Sequence, residues 1–208
     1  MLYLFVDASQ NKTYVQAGSK AEYSSNWFDT DRDLSARIVE LCETTLKKHG
    51  TKEQIDLFGF CSGPGGLTGL RAAAAFMRGS ALVTGKKAFC ISLFDWAFKT
   101  LKQNGAGDNF RMVVPTLIDK AFEVRVTDGN VCAPALIERK FCKQQSDCTY
   151  SIRSSFENTI FCEPTPQNLH EIITTDAEKY SADFDNILRL LPLYIIPSQA
   201  ERKLEEKA

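Results

Sequence analysis

The stretch Gly63-Pro64-Gly65-Gly66-Leu67-Thr68-Gly69-Leu70-Arg71 restricts this chain more than any other part of it. Four glycines and a proline between positions 63 and 69 can continue neither a strand nor a helix, so the chain must turn here. Ahead of the turn, Ile55 to Cys61 is apolar except for Asp56 and Gly59, which suits a strand buried on both faces. Behind it, Ala72-Ala73-Ala74-Ala75-Phe76-Met77-Arg78-Gly79-Ser80-Ala81 reads as a helix with a nearly side-chain-free surface. A strand, a glycine turn and a small-residue helix point to an α/β fold. Such a turn can gather backbone N–H groups and a helix N-terminus around an anion. It can equally serve a tight turn with positive φ and close backbone packing, and the residues alone leave both readings open. The P-loop pattern is not met, because Leu70 and Arg71 follow Gly69 where a lysine and a hydroxyl residue are required, and the glycine spacing of the dinucleotide fingerprint is absent.

The rest of the chain alternates strands and helices. Leu2 to Val6 forms a predicted strand ending at Asp7, and Thr13 to Ala17 a second one after the polar turn Ser9 to Lys12. Asp33 to Lys48 carries Leu34, Ile38 and Leu41 at helical spacing and ends before Gly50. Ala88 to Ile91 predicts a strand, Asp95 to Lys102 a helix, and the glycine-rich run Gln103 to Asn109 a linker between a domain at 1–103 and another at 104–208. The second half opens on Met112 to Val114, reaches Asp119, and alternates through Phe122, Val124 and Val126 into Asp128-Gly129-Asn130. Both halves thus begin with a strand that delivers an aspartate and a second β-forming run closed by glycine; duplication and coincidence both fit that pattern. Val131 to Phe141 and Thr159 to Phe161 are predicted strands, Asn168 to Thr174 and Asp183 to Leu191 helices, and Glu201 to Ala208 a solvated tail.

Charge and residue counts narrow the chemistry. Twenty-five basic residues against 26 acidic ones leave a net charge of −1, so any role with RNA is local or delegated to a partner. Seven cysteines without a CxxC pair fit neither a disulfide framework nor a zinc ribbon. Without a basic flank before its short apolar start or a membrane-length apolar run, the chain is expected in the cytoplasm, away from membranes. Two isolated histidines, His49 and His170, supply neither a two-histidine metal motif nor a Ser/His/Asp set. Cys61 stands near the glycine turn either as a nucleophile or as a small core residue. Asp7 and Asp119 are candidate ligands of a metal–nucleotide pair or strand-end caps of turns. Arg139, Lys140 and Lys143 around Phe141 read as a solvated strand edge ahead of an RNA contact. The small residues of the alanine helix suit either intimate packing on the protein's own sheet or docking of a partner helix on a second face, the latter because Leu70, Ala73, Phe76, Met77 and Ser80 cannot all face one sheet at ~100° per residue; the residues alone leave both open.

The glycine segment, in its place between strand and alanine helix, resembles the GPGSFTGLR signature of the bacterial TsaB (YeaZ) family, which acts in the synthesis of threonylcarbamoyladenosine on tRNA. Leu4-Phe5-Val6-Asp7-Ala8-Ser9, Ile118-Asp119-Lys120 and the ending Pro192-Leu193-Tyr194 with Pro197, Ala200 and Glu201 are similar to that family as well. The sequence departs from it at Ala8, Gly66, Leu67 and Lys120-Ala121, where the family commonly has threonine, serine, phenylalanine and alanine-arginine. The resemblance implies an actin and sugar-kinase-like (ASKHA) superfold of two RNase H-like lobes, the C-terminal one reduced. It also implies a non-catalytic scaffold that forms a heterodimer with its TsaD-like paralogue and is joined by a TsaE-like ATPase. In that assembly tRNA is met only through the complex, ATP and magnesium are used by the complex, and this chain has no cofactor of its own.

The expected pairing surface lies on the helices Leu34 to Lys48 and Leu67 to Val83, with Leu34, Ile38, Leu41, Leu70, Ala73, Phe76, Met77 and Ser80 as its residues. A bulky charged side chain at Ala73 or Gly79 is then expected to abolish pairing and spare the fold, and the same surface could accept a second copy of the chain as a homodimer. The alternative is a small ATP-dependent phosphotransferase or ATPase of the same superfold, with Asp7, Gly63, Gly65, Gly66 and Asp119 around the nucleotide.

Overall fold

The computed structural model describes residues 1–30, 33–116, 119–143, 148–155, 158–183 and 186–193. Ile118 of the second aspartate motif, the ending from Tyr194 onward and the expected tail at 201–208 lie outside these. The chain divides into two compact units: Met1–Thr100 with Pro164–Pro192, and a second built on Leu101–Glu163. The division expected near residue 103 therefore leaves out a return of the chain to its first unit.

In the first unit, β1 (Tyr3–Asp7), β2 (Lys12–Gly18) and β3 (Tyr23–Asp29) form an antiparallel meander, followed by α1 (Leu34–Leu46), β4 (Leu57–Gly63), α2 (Leu67–Thr84), β5 (Lys87–Ser92) and α3 (Leu93–Gln103). The returning segment supplies α4 (Pro166–Tyr180), β12 (Ser181–Ala182) and a 3-10 turn at Ile187–Arg189, where the sequence predicts a longer helix. The sheet order is β12-β5-β4-β1-β2-β3, with β4 parallel to β1 and to β5. Alternation along β1 decides both layers. Leu4 and Val6 point with Val15, Ala17, Phe58 and Phe60 onto α1 and α2, where Ile38, Leu41, Ala73, Met77 and Ala81 complete an apolar core. Tyr3 and Phe5 point the other way, into an aromatic layer in which Phe5 lies 5.8 Å from Phe89 and 6.2 Å from the fully buried Trp96 of α3. Gly59 is required there, because a Cβ at this position would stand 2.0 Å from the Phe89 ring.

Helix α4 closes that second layer through side chains spaced for a helix face. The Trp96 Nε1–H donates to the Thr165 carbonyl at 2.8 Å, and Asn168 Nδ2 to Thr100 Oγ1 at 2.9 Å. Tyr3 Oη lies 2.9 Å from His170 Nδ1 and accepts from Gln16 Nε2 at 2.7 Å, while the Tyr23 ring packs 4.8 Å from the imidazole. Burial holds the His170 pKa below its ordinary value, against the opposing pull of Glu171.

The second unit repeats the strand plan of the first. β6 (Phe110–Pro115) and β7 (Lys120–Thr127) form an antiparallel hairpin, β8 (Asn130–Val131) and β9 (Ala135–Glu138) pair with β7, and β10 (Thr149–Ile152) and β11 (Ile160–Cys162) add in parallel beyond β6. The order β11-β10-β6-β7-β8 matches β5-β4-β1-β2-β3 strand for strand, so the opening repeat read from Asp7 and Asp119 is one of topology. Asp128 (φ 50) and Gly129 (φ 76) make the two-residue turn between β7 and β8, as the Asp-Gly pair predicts. What differs is the helices. Among the described residues, where the first unit carries α1 the second has only the 3-10 turn Arg139–Lys143, and between β10 and β11 there is no helix. This is the α/β superfold of two RNase H-like lobes with the C-terminal one reduced, as the resemblance implies.

Three elements depart from the sequence reading. The strand β3 is not legible in Tyr23-Ser24-Ser25-Asn26-Trp27-Phe28-Asp29 because an edge strand with little burial needs no apolar alternation. Val131 to Phe141 is not one strand, since it breaks around Pro134 and ends in the Arg139–Lys143 turn. β10 was hidden in the polar run after Cys148.

Candidate functional site

The glycine turn docks on the turn between β1 and β2, and the local chemistry explains why glycine recurs. A Cβ on Gly65 would stand 2.2 Å from the Ser9 carbonyl oxygen and one on Gly69 2.2 Å from that of Ala8, so backbone meets backbone without side chains between. Gly63 has φ +100, in the region that favours glycine, and precedes Pro64 through a cis peptide bond. The Gly66 N–H donates to the Ser9 carbonyl at 2.8 Å, and α2 begins with the Leu70 N–H donating to the Gly66 carbonyl at 3.1 Å. Asp7 is 1% exposed and its Oδ1 accepts from the Ser9 N–H at 2.9 Å. The close packing that one reading of the glycines requires is present here, and Asp7 caps the turn that receives it. Cys61 is a buried thiol whose Sγ accepts from the Gly63 N–H at 3.4 Å.

Of the expected nucleotide-binding residues, Asp7, Gly63, Gly65 and Gly66 belong to the first unit and come together at this turn. Asp119 is an exposed residue of the second unit. Among the described residues, no three His, Cys, Asp or Glu side chains are grouped to hold a metal ion.

The residues expected at a partner surface are placed differently, and most of them need correction. Leu34, Ile38, Leu41, Leu70, Ala73 and Met77 are all at least nine-tenths buried beneath the helices. They hold α1 and α2 to their own sheet, so a docking partner cannot reach them, and a charge at Ala73 would strike the core. Only Phe76 and Ser80 are half-buried. The apolar stripe of each helix is spent on the sheet because that burial is what fixes the helix; the surplus lies one stripe around. There α2 presents Ala72, Ala75, Gly79 and Val83, and α1 presents Ala36 and Val39. Val83 is 89% exposed and Val39 49%, and a Cβ on Gly79 would meet nothing within 4 Å. The spacing 72, 75, 79 and 83 is a helical stripe legible in the sequence, but it is smaller and less apolar than the core stripe beside it.

The basic cluster is also relocated. Arg139 and Lys140 lie on the 3-10 turn rather than on a strand, and Lys140 Nζ both pairs with Glu138 at 2.5 Å and sits 5.1 Å above the Phe141 ring.

Residues 29–117 match the family model of TsaD, tRNA N6-adenosine threonylcarbamoyltransferase. No curated protein matches the chain by sequence. Among solved structures, YeaZ from Pseudomonas aeruginosa superposes with a TM-score of 0.71 at 13% identity, over 93% of this chain and 100% of that one. A second structure, of an uncharacterized protein with similarity to peptidase YeaZ from Pseudomonas aeruginosa, has a TM-score of 0.70 at 13% identity, over 94% and 99%. The chain thus has the fold of YeaZ along nearly its whole length, and the family match and the fold together support the TsaB (YeaZ) resemblance carried by the glycine signature.

Proposed function

We propose that this chain is a non-catalytic partner subunit in the synthesis of threonylcarbamoyladenosine on tRNA, pairing with a TsaD-like transferase through the outer faces of α1 and α2. The observation that carries the reading is the outward stripe Ala75, Gly79 and Val83 of α2, flanked by the half-buried Ala72, together with the exposed Ala36 and Val39 of α1. It is a smooth, small-residue surface left over after the unit's own core is complete, and such a surface lets another helix approach closely. The match to the TsaD family and the YeaZ fold support the choice of partner. In this reading a TsaE-like ATPase, ATP, magnesium and tRNA engage the assembled complex, and the chain works in the cytoplasm. No helix among the described residues is long and apolar enough to cross a membrane.

The alternative of a small phosphotransferase draws less support from the glycine turn, since the Gly66 N–H and the Asp7 carboxylate both bind Ser9 of the same chain.

The test is to mix the purified chain with the TsaD-like protein of the same organism and measure mass by light scattering after size exclusion. A one-to-one complex is expected. If only separate species or self-dimers of this chain emerge, with and without ATP and magnesium, the partner reading fails and ATP turnover by the chain alone becomes the question.

A further inference from the structure

The second unit buries charge where the first buries hydrocarbon. Residues paired across a sheet share a face, and so do alternate residues of one strand. Arg111 pairs with Arg125 of β7, and Val113 pairs with Glu123 of β7 and with Ser151 of β10. Arg111, Glu123, Arg125 and Ser151 therefore occupy one face, while Met112, Val114, Phe122 and Val124 fill the other with apolar core. The charged face is the one that the Arg139–Lys143 turn overlies: Cys142 packs there on Val113 and Ala121, within electrostatic reach of Arg111, Glu123 and Arg139 together.

This face is incompletely satisfied. Arg111 is 1% exposed, and its Nε donates to Glu123 Oε1, an atom it shares with Arg125 Nε at 3.3 Å. Both terminal nitrogens of Arg111 lie out of reach of solvent without an acceptor among the described residues, and so does the Ser151 hydroxyl on a residue that is fully buried. Buried guanidinium N–H groups with nothing to receive them are rare in folded proteins, and a fixed planar fork of donors matches the oxygens of phosphate. The charges point the same way, since Arg111 and Arg125 share one carboxylate, Glu123, and Arg139 adds a third positive charge near Cys142 on this face.

We propose that this face is a binding site for a phosphate group, held by the Arg111 guanidinium and the Ser151 hydroxyl beneath the Arg139–Lys143 turn. The turn closes the site in the free chain and lifts to admit the anion. The phosphate comes from a nucleotide or from an RNA backbone; both present the same oxygens. The site lies within one unit and does not depend on the pairing surface.

Thermal unfolding of the whole chain in inorganic phosphate, against potassium chloride at equal ionic strength, tests it. Phosphate is expected to raise the midpoint saturably, and Ser151→Ala and Arg111→Lys are each expected to weaken the apparent affinity at least tenfold. ATP and a short RNA oligonucleotide, each titrated the same way, identify the source by which of them saturates the same effect at lower concentration. A midpoint that phosphate moves no more than chloride does overturns the proposal, as does an effect of equal affinity in Ser151→Ala. Ser151→Ala removes one oxygen from the core and carries the test if Arg111→Lys does not fold.

Discussion

Gly79 separates the stability of the monomer from the proposed pairing. It lies inside α2, and a Cβ built on it meets no atom within 4 Å, so a methyl group there adds neither clash nor contact. What remains is backbone entropy and helix propensity: alanine is better than glycine in a helix interior by about 1 kcal/mol. Gly79→Ala is expected to stabilise the chain by that amount, which raises the unfolding midpoint by roughly 2–4 °C for a protein of this size. Gly79→Glu keeps most of the propensity gain and sets a carboxylate on the stripe formed with Ala72, Ala75 and Val83. A charge left unpaired in a closed interface costs about 3–5 kcal/mol, a loss of more than a hundredfold in affinity. Calorimetry of both variants gives the first quantity, and titration with the TsaD-like protein in the ultracentrifuge gives the second. A lowered midpoint for Gly79→Ala means that the site is not open. Wild-type affinity for Gly79→Glu refutes the pairing face.

Three further outcomes follow from the same geometry. Gly65→Ala places a methyl 2.2 Å from a backbone oxygen that cannot rotate away, and is expected to cost about 1–3 kcal/mol in urea unfolding; an unchanged midpoint would sink the close-packed reading of the turn. Ala73→Glu puts a carboxylate into a fully buried position and is expected to destabilise the chain itself, by circular dichroism, rather than to spare the fold; a native-like melt would return Ala73 to the surface. His170 is held neutral, its folded pKa below the unfolded value of 6.5, so its contribution to stability is intact above pH 6.5 and is lost as pH falls below that value through the folded pKa. Unfolding free energy measured from pH 7.5 to 5 should fall more steeply in the wild type than in His170→Gln, and identical slopes would remove the argument.

Where the sequence was legible, one residue type met one physical demand. The run of glycines before an alanine helix announced a strand–turn–helix, and Asp128-Gly129 announced its hairpin, because few residues tolerate those backbones. The edge strand β3 was silent because its side chains are half in water and obey no period. The partner surface was read from the strongest apolar stripes of α1 and α2, and those are the ones the core consumes. Arg111 and Ser151 gave no signal at all: they lie 40 residues apart in sequence, and what makes them notable is a register between β6 and β10.

Local backbone demand and hydrophobic period are properties of short segments, so the sequence by itself determined the α/β class, the glycine turn, the two helices behind the pairing hypothesis and the repeated strand–aspartate opening. Which side of each helix is spent on the core, whether a glycine N–H faces a ligand or Ser9, and which charges end up under a turn depend on strand order and long-range pairing. Those are decided only when distant segments compete to bury the same surface. The return of Pro164–Pro192 to the first unit makes the same point, because a linear reading of composition has no term for a chain that comes back.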